Sequence, residues 1–187
     1  MTRRLKVFNL ISLDGFIADL NGDMSWAHRH DPEWLEFVQG NAQGGGEIIF
    51  GRITYDMMAG YWPTPMAAQQ NPSLAQHMNE MPKVVFSRTL NEAAWNNTRL
   101  FKGDVAGEVR KLKNEPGKDM VIFGSGTIVS QLAEENLIDD YQLVACPIVL
   151  GKGKSMFHGV THKIPLKLTQ SRTFGNGNVV SWYQPTT

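Results

Sequence analysis

Short apolar runs recur along the chain, and glycine, proline or aspartate breaks each one. Between them lie segments whose apolar residues repeat at three- and four-residue spacing. The first run, Leu5 to Leu13, predicts a strand, and Asp14-Gly15 predicts the turn that ends it. Asp31-Pro32-Glu33 combines an N-cap, a proline at the first helical position and an acid in the first turn. Trp34, Leu35 and Val38 give that helix its apolar face, and Gly40 is expected to end it. Gly44-Gly45-Gly46 reads as a joint, Glu47 to Phe50 as a strand, and Arg52 to Ala59 as a helix stopped by Trp62-Pro63-Thr64-Pro65.

The alternation continues. Asn71-Pro72-Ser73 opens a helix ending before Pro82, and Lys83 to Ser87 is a buried strand. Asp104 caps a helix carrying Val105, Val109 and Leu112 on one face, closed by Glu115-Pro116-Gly117. Met120 to Phe123 is a strand, Gly124-Ser125-Gly126 a tight loop, and Thr127 to Asn136 a helix. Tyr141 to Leu150 is apolar enough for a central strand. Leu166 to Phe174 and Asn178 to Tyr183 form a hairpin across Gly175-Asn176-Gly177. Strand–helix alternation followed by a hairpin predicts one α/β domain over 1–187, with a mostly parallel sheet and an antiparallel edge.

Composition narrows the classes of function. The 187 residues include 18 Lys+Arg and 18 Asp+Glu, so the formal net charge is zero, which argues against broad nucleic-acid or membrane-surface binding. Charged residues are only 19% of the chain, so little repulsion opposes self-association, and a homodimer is expected. The single cysteine, Cys146, excludes an intrachain disulfide and sits in an apolar run, where it reads as a buried structural thiol. No run approaches the roughly 20 apolar residues of a bilayer span, and no signal-peptide core follows Met1. A soluble, cytoplasmic protein is expected.

The candidate chemistry lies in loops that follow strands. Gly124-Ser125-Gly126 joins the strand ending at Phe123 to the helix starting at Thr127. Glycines there allow close backbone approach, and the helix start favours phosphate. Val129 stands where a Rossmann fingerprint needs its third glycine. Gly51-Arg52-Ile53-Thr54 and Ser87-Arg88 repeat the arrangement after two other strands. Each loop alone fits a plain turn or surface loop as well or better. Together, at the carboxyl ends of parallel strands, three phosphate-competent loops predict an extended, multiply phosphorylated ligand such as a dinucleotide. Trp26, Trp34, Tyr55, Met58 and Trp62 cluster in sequence near these loops and are candidates for the wall of a planar-ring pocket. Asp14, Asp31 and Glu33 are the nearby carboxylates, although a turn explains Asp14 and capping explains Asp31.

Other patterns carry less. Gly153-Lys154-Ser155 lacks the upstream glycine of a phosphate-binding P-loop, since Ile148 stands there. His28 with His30, and His158 with His162, have metal-pair spacing but no third ligand nearby, so no metal is expected. Ser125 lacks the nucleophile-elbow pattern because Phe123 holds its first glycine position.

Six segments in order carry a family resemblance: Ile11–Ala18, Gly51–Tyr55, Phe86–Leu90, Ile122–Gly126, Leu137–Tyr141 and Pro147–Gly153. Together they resemble the dihydrofolate-reductase-like proteins, nearest the branch with the reductase domain of the bacterial riboflavin-biosynthesis protein. The resemblance spans nearly the whole chain. It implies a dihydrofolate-reductase-like α/β fold, with a mostly parallel central sheet of about eight strands flanked by helices. It also implies an NADPH site. Gly51, Arg52 and Thr54 would line the phosphate groove, and Ser87 and Arg88 would face the 2′-phosphate. Phe123, Gly124, Ser125, Gly126, Thr127 and Ile128 would wrap the pyrophosphate and approach the nicotinamide, near Ile17 and Ala18. The acid that grips the pteridine in dihydrofolate reductases is replaced here by Trp34, with Glu33 beside it. The implied activity is NADPH-dependent hydride transfer to a C=N or C=O group of a small heterocyclic or sugar-derived substrate. The alternative is a non-catalytic nucleotide-binding or regulatory module on the same fold.

Overall fold

The computed structural model describes residues 2–28, 31–43 and 46–186. Gly44 and Gly45 of the expected joint, and His30 of the first histidine pair, lie outside the described residues. The strands are β1 (Leu5–Ser12), β2 (Phe16–Ala18), β3 (Glu47–Gly51), β4 (Lys83–Phe86), β5 (Thr98–Phe101), β6 (Met120–Phe123), β7 (Asp140–Cys146), β8 (Lys154–Ser155), β9 (Leu166–Thr173) and β10 (Val179–Pro185). The helices are α1 (Pro32–Gln43), α2 (Arg52–Tyr61), α3 (Pro65–Gln70), α4 (Pro72–Glu80), α5 (Val105–Asn114) and α6 (Gly126–Glu134). Eight strands form one sheet in the order β5-β4-β3-β6-β1-β7-β10-β9, while β2 and β8 pair separately. β1 runs parallel to β6 and β7, β3 runs parallel to β4 and β6, and β4 runs parallel to β5. Only β10 turns against its neighbours β7 and β9. The fold is the dihydrofolate-reductase-like α/β arrangement that the resemblance implies.

Alternation along the strands divides the core. Leu5, Val7, Ile49, Ile122 and Tyr141 face α5 and α6, packing on Val109, Leu112, Val129 and Leu132. On the opposite face, Phe8, Val144 and Val180 pack against Trp34 of α1. Beside them, Ile48, Phe50 and Val85 meet Tyr55 of α2 and Met78 of α4. Asp104 caps α5 through both carboxylate oxygens, as its sequence predicts, accepting from the amides of Ala106 and Gly107.

Several boundaries differ from expectation. α1 continues through Gly40 to Gln43, because the glycine is exposed and meets no packing demand that would end the helix. α2 runs two residues past Ala59, where Trp62 still closes a helical bond to the Met58 carbonyl. The run Tyr141 to Leu150 stays in the sheet only to Cys146, since Pro147 cannot donate to a ladder. Its remainder crosses back to β1, where the Leu13 amide donates to the Ile148 carbonyl at 2.7 Å. Lys154 and Ser155, the P-loop lookalike, form the short strand β8.

Candidate functional site

The carboxyl ends of β1, β3, β4 and β6 open on one edge of the sheet, and the three loops singled out by sequence all lie there. Two of them interlock. The Gly51 amide donates to Ser125 Oγ at 2.7 Å, and the Ser125 amide donates to Thr54 Oγ1 at 3.2 Å. The β3–α2 and β6–α6 turns are thus tied to each other across adjacent parallel strands. Each helix starts without a side-chain cap, at Gly51 for α2 and at Ser125 for α6. Their first amides therefore face the edge with no internal carboxylate or hydroxyl to compete with a bound anion.

Backbone geometry sharpens the loop. Gly124 has φ +60°, and a Cβ there would lie 3.0 Å from Thr54 Oγ1. Ser125 is itself left-handed, with φ 57° and ψ 60°. Two successive left-handed residues turn the chain abruptly between β6 and α6. A Cβ at Gly126 would lie 2.8 Å from Ile17 Cδ1, so β2 lies against the loop. Ala18, on the same short strand, is buried. Ile128 is buried behind the loop, and Thr127 is exposed at its surface.

Arg52 is half-exposed and pairs with Asp56 at 3.0 Å one helical turn on. Such an exposed pair is weak and yields readily to a stronger anion. Ser87 is buried, and its hydroxyl accepts from the amides of Thr89 and Leu90, forming a tight turn after β4. Arg88 is exposed at this turn.

The aromatic candidates divide into two groups. Trp26 and Trp34 belong to the cluster under α1, where Trp34 is buried against Phe37 and Phe174. Tyr55, Met58 and Trp62 belong to the cluster under α2 and α4. The Tyr55 hydroxyl accepts from the Trp95 amide at 3.0 Å inside that core. Phe123 touches both clusters, so it joins them beneath the glycine loop. Trp34 and Tyr55 are core side chains, and only Trp26, Met58 and Trp62 keep partial exposure.

The carboxylates are engaged. Asp14 accepts from Ser12 Oγ at 2.6 Å, from the Leu150 amide at 3.1 Å and from the Gly151 amide at 2.7 Å. The Ser12 hydrogen bond, helped by those amides, holds its carboxyl below the usual aspartate range. Asp31 caps α1 through the Trp34 amide at 2.7 Å. Glu33 pairs with Arg172 at 2.6 Å.

Two contributors escaped the sequence reading. Asn9 is buried in β1 and donates from Nδ2 to the Gly124 carbonyl at 3.2 Å and to Met156 Sδ at 3.0 Å, fixing the first loop peptide from below. A polar residue inside the apolar run Leu5 to Leu13 was the available signal. Asn178 is fully buried beside the start of β10, and neither its Nδ2 nor its Oδ1 has a hydrogen-bond partner.

Two surface clefts of about 570 and 600 Å³ lie at the opposite, amino edge of the sheet. The first is spanned by Arg3–Glu47 at 2.9 Å and Arg99–Glu47 at 2.6 Å, a closed set of ion pairs that braces the strand starts. Among the described residues, no three His, Cys, Asp or Glu side chains cluster as metal ligands, and no helix is long and apolar enough to cross a membrane.

Comparison with known proteins agrees with this geometry. The family described as the RibD C-terminal domain matches residues 3–180. The uncharacterized protein YyaP of Bacillus subtilis (strain 168) is 33% identical over 180 residues, covering 95% of this chain and 92% of its own. A putative riboflavin biosynthesis protein from Shewanella sp. PV-4 superposes with a TM-score of 0.73 at 22% identity, covering all of both chains. A dihydrofolate reductase from Enterococcus faecalis, solved with NADP(H), superposes with a TM-score of 0.67 at 13% identity, again over the whole of both chains.

Proposed function

Because this chain belongs to the RibD C-terminal domain family, we propose that it is a reductase that uses NADPH. Its substrate is a small heterocycle, pterin- or pyrimidine-like, or a sugar-derived molecule with a C=N or C=O group. It works in the cytoplasm as a homodimer. The observation that carries this reading is the lock between Gly51 and Ser125, which sets two uncapped helix starts side by side. The residues present suit the cofactor: glycine is required at Gly124 by φ and at Gly126 by contact, and these positions bring bare backbone to the edge. Gly51, Thr54, Gly124, Ser125, Gly126, Thr127 and Ile128 hold the pyrophosphate, with Arg52 at its flank. Ser87 and Arg88 receive the 2′-phosphate. Ile17 and Ala18 border the nicotinamide. When bound, NADPH supplies the hydride. The chain orients the acceptor against it and excludes water.

Three donors engage Asp14, Arg172 engages Glu33 and the Trp34 amide engages Asp31, so the proton comes from one of these three carboxylates or from an ordered water. The same engagement favours a second reading, a nucleotide-binding module without turnover. Titration with NADPH, followed by nicotinamide fluorescence, tests the cofactor. No binding at high micromolar concentration sinks both readings. Turnover against a panel of pterins, pyrimidines and quinones then separates them.

A further inference from the structure

We infer, resting on the reductase reading above, that the substrate carries no phosphate or carboxylate and is an uncharged, flat, largely apolar molecule. The groove that would receive it lies between α1 and α2. These helices cover the same face of the sheet, over neighbouring clusters that Phe123 joins. At its carboxyl end α1 closes on α4, where His77 Nε2 donates to the Ala42 carbonyl at 2.8 Å. Leu35 and Val38 share the side of α1 that carries Ala42, by three- and four-residue spacing. Toward its amino end this side stays open, and Leu35 is 48% exposed. Met58 of α2 and Trp62, which closes α2, lie one turn apart, pack in the cluster shared with Phe123 and remain partly exposed. Leu35 and Val38 thus form one wall and Met58 and Trp62 the other. Phe123 lies between them, directly before the glycine loop.

Charge on these elements is one-sided. From Asp31 to Pro82, the stretch that holds α1 to α4, the acids are Asp31, Glu33, Glu36, Glu47, Asp56 and Glu80, against a single Lys or Arg, Arg52. Glu47 is buried at the far edge of the sheet, and Glu33 is paired with Arg172. Glu36 is exposed on α1, and Asp56 is exposed on α2, where it holds Arg52 at 3.0 Å. The histidine of this stretch, His77, already bonds Ala42. Trp62 Nε1 donates to Met58 Sδ at 3.2 Å, so the indole has no second hydrogen to offer a phosphate.

The cofactor sharpens the selection. The reading gives Arg52 and Arg88 to the phosphates of NADPH, so neither is left for an anionic substrate. A second anion in the groove would give up its water, meet the acids of α1 and α2, and face the phosphates of NADPH. Burying a charge without a partner costs far more than burying an uncharged ring. An uncharged molecule avoids that cost and still removes apolar wall from water. Arg29 precedes α1 in the chain and lies outside the described residues.

The dyes N-phenyl-1-naphthylamine and 8-anilinonaphthalene-1-sulfonate share their rings and differ by one negative charge. Their fluorescence titration against the full chain needs neither cofactor nor turnover. The uncharged dye is expected to bind at least about tenfold tighter. Leu35→Arg sets a cation at an exposed wall position and is expected to narrow that gap about threefold or more by tightening the sulfonate. Arg29→Ala is expected to leave the gap unchanged. Equal or tighter binding of the sulfonate overturns the charge selection, and so does a gap that opens only in Arg29→Ala. A gap indifferent to Leu35→Arg, or no binding of either dye, overturns the groove as the binding place. With NADPH present, pterins, pyrimidines and quinones are then compared as matched pairs with and without a phosphate or carboxylate. Turnover confined to the uncharged members is expected, and faster turnover of the charged members overturns the inference. Turnover of neither sinks the reductase reading, and the dye gap then still reports the charge selection of the groove.

Discussion

The Gly51 amide and Ser125 Oγ lie 2.7 Å apart, although 74 residues separate them in the chain. This one bond makes two strand-to-helix turns behave as a single cradle. Ser125→Ala leaves the Gly51 amide without its acceptor at a part-buried position. Losing such a bond costs about 1–3 kcal/mol, or about five- to 150-fold in an equilibrium constant. The expected outcome is an NADPH dissociation constant raised by about tenfold, with a smaller fall in melting temperature. Unchanged fluorescence titration would mean that the cradle forms without the lock.

Arg88 and Arg52 are expected to separate by cofactor. Arg88→Ala removes an exposed guanidinium that the proposed function sets against the 2′-phosphate, so NADPH binding is expected to weaken about tenfold or more while NADH binding hardly changes. Arg52→Ala acts nearer the pyrophosphate and is expected to weaken both cofactors alike. Parallel titrations with the two cofactors read the difference.

Asp14 is expected to contribute to stability at neutral pH, a contribution lost in acid, rather than to proton transfer. Its folded carboxyl is held below the ordinary value of 3.8, so its contribution is present above that pH. The contribution is lost as pH falls through the folded value. Asp14→Asn is therefore expected to lower the melting temperature at neutral pH and to flatten its decline between about pH 5 and about pH 3. A variant whose pH–rate profile loses its alkaline limb would instead make Asp14 the donor.

Lys83 is a buried cation outside the site. Its Nζ donates to the carbonyls of Asn79, Met81 and Asn96 and lies 4.4 Å from the Trp95 ring centroid. Burial pushes its pKa down to about 8. Between that value and the unfolded 10.5, the unfolded chain binds more protons, so folding stability rises with pH across this window. Lys83→Met is expected to remove that rise. It also strands three carbonyls, for a loss of about 3 kcal/mol measured by urea titration at neutral pH.

Asn178 offers the opposite sign. Its amide is fully buried with both polar atoms unpaired, which costs about 1–3 kcal/mol. Asn178→Leu, which keeps the forked four-atom side chain at a larger volume, is expected to raise the melting temperature. A fall would reveal a buried water bonded to the amide.

Much of the fold was legible because its strands are short, apolar and bounded by glycine or proline. Leu5 to Leu13, Lys83 to Ser87 and Met120 to Phe123 all reappear within a residue. What was missed had weak local signal. Thr98–Phe101 alternates poorly and joins the sheet only because β4 offers it an edge. Phe16–Ala18 and Lys154–Ser155 exist only as each other's partner. The candidate site was legible in its backbone geometry, at Gly51 and Gly124 to Gly126, because glycine marks close approach. The buried fates of Trp34 and Tyr55 were not, because aromatic residues near a loop in sequence pack wherever the helix face beneath them turns.

The strand order also dictates when the molecule can become itself. β1 pairs only with β6 and β7, whereas β3, β4 and β5 pair in the order they are made. On the ribosome, the amino-terminal strand must wait for more than half of the chain to emerge, with its central apolar residues uncommitted, before β6 slides between it and β3. A fragment ending at Asp119 would own a three-stranded half-sheet and an orphaned first strand. Assembly of the interlocked turns and closure of the sheet are thus one late event, and a nascent chain gains the edge where Gly51 and Ser125 meet only when it gains its fold.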